Sequence, residues 1–135
     1  MTLWDSVKAI GVALLIMVLN VAAAFGVVWV YATFIETGHD QAFYEAAAQR
    51  IAPWSSVVAG AVLFLVMLWW LAWRRAGRNG YAFAAVVVLV YAAIDVSVIA
   101  MAGALTSMSA IVAASMSTKL AAALAGAWLS RPRAA

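Results

Sequence analysis

The sequence predicts an all-α integral membrane protein, a bundle of four transmembrane helices with a short interfacial helix in the first extracytoplasmic loop. The chain of 135 residues is 69% hydrophobic and only 10% charged, whereas soluble domains are about half apolar and about a quarter charged. Its charges also separate long uncharged stretches. This composition excludes a water-soluble domain, and it excludes a disordered chain, which needs the opposite balance.

Four spans follow from the uncharged stretches. The stretches 9–35 and 51–73 contain 27 and 23 residues without a charge, and one crossing needs about 20 apolar residues. The 52 residues of 79–130 carry only two charges and are too long for a single crossing, so a break is predicted at 103–107, where Gly, Thr and Ser cluster. The predicted spans are residues 7–34, 53–73, 81–102 and 106–129 of one membrane domain that covers 1–135.

The first span also has features of a secretory signal peptide, because Lys8 precedes an apolar run. That run is too long for a signal peptide, and no convincing small-residue cleavage site lies before Glu36. We therefore expect a retained transmembrane helix.

The loop after the first span predicts a helix that lies in the membrane surface. Asp40 is a good N-cap, and apolar side chains then recur at i, i+4 and i+8, as in one stripe of a helix. These side chains are Phe43, Ala47 and Ile51. Residues 40–52 are predicted as this interfacial helix, and Pro53 is predicted to start the second span at its first helical position.

The basic residues predict the orientation. Six Lys and Arg side chains lie on one side of the predicted spans, and Arg50 alone lies on the other. The positive-inside rule then places both termini and the loop between spans two and three in the cytoplasm, with the chain in a bacterial-type cytoplasmic membrane. The arginines of that loop are predicted to contact anionic lipid headgroups rather than nucleic acid. They are Arg74, Arg75 and Arg78.

Two ionisable side chains fall inside predicted spans and are the main functional candidates. An ionised Asp or Lys at the centre of a membrane helix costs roughly 2.5–3.5 kcal/mol, so Asp95 and Lys119 are expected to be neutralised within the bundle. Their offset in depth favours a pair that is stretched, or bridged by water or by the amide of Asn20. Tyr91 and Ser115 each lie one helical turn away, and all five side chains are predicted to form one polar core.

Three interpretations of this polar core stay open. It fixes helix register and orientation, it forms a hydrated binding site or solute path, or Lys119 reaches the cytoplasmic interface or an acidic partner protein. The sequence contains no cysteine and no motif of a known catalytic type, so neither an enzyme nor a cofactor is predicted.

The loop that contains the single histidine is a weak candidate for a metal site. Glu36 and His39 have an E-x-x-H spacing, and Asp40 and Glu45 follow. Such a spacing places two ligands on one face only within a helix, and Gly38 interrupts this segment. A solvated loop that caps helix ends is therefore favoured over a divalent-metal site.

Small residues recur four apart in the fourth span and predict close helix packing. They either pack inside the bundle or form the seam of a homo-oligomer. The pairs are Ala110 and Ala114, Ala113 and Ser117, Ala114 and Thr118, and Ala122 and Gly126.

Two functions are expected from these features. The first is a small transporter or channel-like protein whose polar core handles an ion or a small polar solute. The alternative is a non-catalytic accessory or assembly subunit, which docks a larger membrane partner through Lys119 or through the small residues of the fourth span.

Overall fold

The computed structural model describes residues 1–74 and 79–131, and this part of the chain forms four long helices. All four are long and apolar enough to cross a membrane. This finding confirms the predicted four-helix membrane bundle. The helices are α1 (Leu3–Val30), which continues as a π-helical segment over Tyr31–Ile35, α2 (Gln41–Trp73), α3 (Gly80–Met101) and α4 (Leu105–Leu129).

Side-chain caps set three of the helix starts. The Thr2 hydroxyl accepts a hydrogen bond from the Asp5 N–H, and the Asp5 carboxylate accepts one from the Thr2 N–H. This capping box satisfies donors that a helix start leaves free, so α1 begins at Leu3, four residues before the predicted start. Asp40 caps α2 as predicted, and Asn79 caps α3.

The separate interfacial helix predicted at 40–52 is not formed. Residues 41–52 are the first turns of α2, which passes through Pro53 without ending. Pro53 removes one intrahelical hydrogen bond but does not break the helix here. Because 33 residues of α-helix extend about 50 Å and the hydrocarbon layer is about 30 Å thick, α2 is long enough for these turns to extend beyond the layer.

The four helices pack as a ring in the order α1, α2, α4, α3. α1 contacts α2 and α3, and α4 contacts the same two helices, with the most extensive contact between α2 and α4. α1 and α4 thus lie diagonally across the bundle. This arrangement brings side chains of all four helices to the centre.

The polarity of this bundle suits a lipid environment. Its outer surface carries large apolar side chains, and all seven tryptophans of the chain are at least 41% exposed. Conversely, Asn20 and Lys119 are buried. A soluble protein has the opposite distribution, so the described residues form a multi-pass membrane protein.

Candidate functional site

Lys119 lies at the centre of the bundle and is completely buried. Its alkyl chain passes over Gly60 of α2, where a β-carbon would collide with the Lys119 Cε atom. The glycine therefore makes the room through which the lysine side chain enters the interior. A fully buried ammonium requires polar partners inside the protein.

Two hydroxyl groups supply those partners. Lys119 Nζ donates to the Ser56 Oγ and Tyr91 OH atoms, both at 3.3 Å, and it lies 4.7 Å from the centre of the Tyr91 ring. Edge-to-face packing on Phe64, with ring centres 5.1 Å apart, holds the tyrosine. The ammonium is thus compensated by hydroxyl dipoles and an aromatic face.

Asn20 of α1 joins the same two hydroxyl oxygens. Its Nδ2 atom donates to Ser56 Oγ at 2.7 Å and to Tyr91 OH at 2.9 Å. Its carbonyl oxygen Oδ1 is buried, and within residues 1–74 and 79–131 it has no hydrogen-bond partner. An unsatisfied buried acceptor costs about 1–3 kcal/mol.

Asp95 is half-buried one turn beyond Tyr91 on α3. Its charge interacts with that of Lys119, but no ion pair of 4.0 Å or less joins the two side chains. Asn20 does not bridge them directly either, because its amide nitrogen contacts the hydroxyls instead. The two charges therefore lie in one site without a direct ion pair or a bridge through Asn20.

A cavity of about 420 Å³ lies between α1, α2 and α3 on the side of the Glu36–Asp40 loop. Its polar lining residues are Asn20, Ser56, Tyr91 and Asp95. The remaining lining is apolar and comprises Met17, Val21, Ala24, Phe25, Val28, Ala48, Ala52 and Val98. Beyond Asn20 and Tyr91, toward the other end of the bundle, the interior is a packed apolar core.

The structure therefore brings together four of the five predicted polar-core residues. Asn20, Tyr91 and Lys119 form one hydrogen-bonded cluster, and Asp95 lies beside it on the cavity wall. Ser115 is buried one turn from Lys119, but no hydrogen bond of the described residues links its hydroxyl to the cluster.

Two residues of the site were not predicted from sequence. Ser56 provides the oxygen that links Asn20 to Lys119, and Gly60 provides the space for the lysine chain. They lie four apart on α2, on the face that also carries Phe64. The sequence signal for these two residues was a small polar residue followed by a glycine four positions later.

Removal of the Tyr91 hydroxyl tests the cluster directly. Tyr91→Phe keeps the ring against Phe64 but removes an acceptor that both Asn20 and Lys119 use. We expect the free energy of unfolding, measured by SDS titration in mixed micelles, to fall by about 1–3 kcal/mol. Tyr31→Phe, a change outside the cluster, is the matched control and should shift the midpoint of the SDS titration little. Equal shifts for the two variants would contradict the described hydrogen bonds.

The loop of the single histidine is arranged as a helix cap. Asp40 Oδ1 accepts from the Phe43 N–H at 3.0 Å, and His39 Nε2 lies 3.0 Å from Glu36 Oε2 with both side chains exposed. Among the described residues no group of three His, Asp or Glu side chains is placed to hold a metal ion. Asp40 therefore caps the start of α2, as the capping interpretation of this loop expects.

Basic and aromatic side chains pair at the opposite end of the bundle. The Arg74 guanidinium lies 4.3 Å from the Trp70 ring centre, and Arg131 lies 4.5 Å from that of Tyr81. Lys8 and Arg74 also border a groove of about 520 Å³ whose other walls are mainly apolar. Arg75 and Arg78, the other predicted headgroup contacts, lie outside the described residues.

Comparison with known proteins gives no relative from which a role could be transferred. The chain matches no protein-family model, no curated protein and no solved structure. Any assignment of function therefore rests on the geometry above.

Proposed function

We propose that the chain is a small membrane transporter that binds its solute in the cavity between α1, α2 and α3. One observation carries the proposal: the half-buried Asp95 carboxylate lies on the wall of a cavity between helices that are long and apolar enough to cross a membrane. Ionisable groups inside membrane helices mark ion and solute pathways by default. The apolar core below the cavity closes the other end, so transport requires a second state in which that core separates.

A flux assay tests this proposal. Purified protein in liposomes is given gradients of potassium, methylammonium, benzylammonium, chloride and benzoate, and charge movement is recorded. We expect saturable transport of at least one of these ions. Asp95→Asn and Lys119→Met should each reduce it at least about tenfold, because losing one charged hydrogen bond costs about 1.5–3 kcal/mol.

The matched control is Asp40→Asn, which removes a carboxylate at the helix cap outside the cavity. Asn caps helices about as well as Asp, so this variant should transport normally. The proposal fails if none of the five ions moves, or if Asp95→Asn and Lys119→Met both transport as well as the wild type.

We also propose that the end of the bundle with Lys8, Arg74 and Arg131 faces the cytoplasm and contacts anionic lipids. Three cation–aromatic pairs lie at this end, and the groove beside Lys8 and Arg74 joins positive charge to apolar walls. This combination suits a phosphate headgroup and its acyl chain. The cavity then opens toward the extracytoplasmic side.

The alternative role, an accessory or assembly subunit of a larger membrane complex, is favoured by a separate observation. Lys119 is fully buried and is not available to an outside partner, but small side chains on one face of α4 are exposed. They are Ala110, Ala114, Ser117 and Ala121. Gentle extraction and sizing separates the roles: a stoichiometric second protein supports the accessory role, whereas a single or self-associated species supports transport.

A further inference from the structure

The charge of the cavity lining restricts the class of solute. Asp95 is the one charged residue among the lining residues. Lys119 lies behind Ser56 and Tyr91 and has no exposed surface. A bound anion would therefore face a carboxylate in a medium of low dielectric constant, whereas a cation would be attracted to it. The lining favours a positive charge.

The rest of the cavity restricts the body of the solute. Apart from the four polar residues, its walls are aliphatic and aromatic, with Met17, Val21 and Phe25 on the α1 side. A volume of about 420 Å³ is within the range of pockets for small organic molecules. The walls therefore suit an apolar group that carries its charge at one end.

From these two observations we propose that the cavity binds an organic cation with an apolar body, with its positive charge on Asp95. The inference rests on the proposed transport function and gives it a substrate class. Each part of the ligand has its own partner: the charge contacts Asp95, and the hydrocarbon contacts the apolar walls.

Equilibrium binding to the purified protein in maltoside micelles tests the inference with four matched probes. They share one ring system and differ at the polar end: 2-naphthylmethylammonium, its N,N,N-trimethyl analogue, 2-naphthylmethanol and 2-naphthoate. We expect both cations to bind at least about tenfold more tightly than the alcohol, because only they carry a charge opposite to that of Asp95. The neutral and anionic probes should be weaker than both cations.

One variant isolates the contribution of the carboxylate. Asp95→Asn should remove the preference for both cations over the alcohol. Asp40→Asn, with its carboxylate outside the cavity, should bind as the wild type does. Partition of the probes into micelles is the same for every variant, so it cancels when variants are compared.

Three results would overturn the inference: no probe binds, the naphthoate or the alcohol binds most tightly, or Asp95→Asn binds the ammonium as the wild type does. None of these binding results decides whether the protein transports an ion in the flux experiment. Transport of chloride or benzoate in liposomes would leave the transport proposal standing and remove only this substrate class, whereas absence of all flux would remove the transport proposal itself.

Discussion

Gly126→Ala is expected to lower the free energy of unfolding by about 2 kcal/mol, although alanine is the better helix former. A β-carbon at this position would lie 2.5 Å from the Leu65 carbonyl oxygen and 2.9 Å from the Trp69 backbone nitrogen. These atoms belong to the backbone of α2 and cannot move as a side chain can. The two helices would have to separate along the most extensive contact of the bundle.

The matched control for this change is Gly26→Ala on α1. Nothing lies within 4 Å of a β-carbon there, so only the helix propensity changes and stability should rise by up to about 1 kcal/mol. SDS titration of both variants in mixed micelles measures the difference. Changes in unfolding free energy of the same sign and size for the two variants would contradict the close approach of α4 to α2.

Gly60→Val is expected to have the second large effect, because it closes the space that Lys119 occupies. The lysine chain has no exposed surface into which it can withdraw, and its Nζ atom is held by Ser56 and Tyr91. We expect a loss of about 3 kcal/mol in unfolding free energy, together with loss of transport, since the polar cluster cannot form around a displaced ammonium.

A double-mutant cycle shows whether this loss comes from Lys119. Lys119→Ala removes the atoms that a side chain at position 60 would meet, so Gly60→Val should cost much less in that background. Residues in contact give coupling energies of about 0.5–3 kcal/mol. Additive effects of the two changes would show that the lysine chain does not pass over Gly60.

The helices could be predicted from sequence because charge and length constrain them strongly. Chain segments without charge must cross the bilayer, and a buried Asp or Lys must find partners, which is why Asn20, Tyr91 and Lys119 were predicted to meet. The start of α1 was missed because the Thr2–Asp5 capping box is local chemistry outside the apolar run. The prediction that a helix starts at Pro53 was wrong because proline weakens a helix without always interrupting it.

The parts of the site on α2 could not be predicted in the same way. No charged residue marks the inner face of that span, and a serine in a membrane helix commonly bonds to its own backbone, as Ser55 does with the Ala52 carbonyl. Only the packing of four helices shows that Ser56 bonds to Asn20 and Lys119 instead. The same packing leaves the Ser115 hydroxyl outside the cluster, since helix periodicity gives a face but not its rotation in the bundle.

The central claim is that the polar core opens to water on the side of the Glu36–Asp40 loop. Cysteine accessibility tests this claim most directly. The chain contains no cysteine, so single cysteines report without background. Ala52→Cys lies in the cavity wall, Ala13→Cys lies in the buried core, and Ala93→Cys lies on the exposed outer face. A membrane-impermeant cationic thiosulfonate is applied to intact cells and to inside-out vesicles.

We predict that the reagent labels Ala52→Cys from the outside of intact cells, and that neither Ala13→Cys nor Ala93→Cys reacts from either side. An Ala52→Cys thiol as unreactive as the one at position 13 would contradict the account, because the carboxylate and the amide of the cavity would then be sealed from any solute.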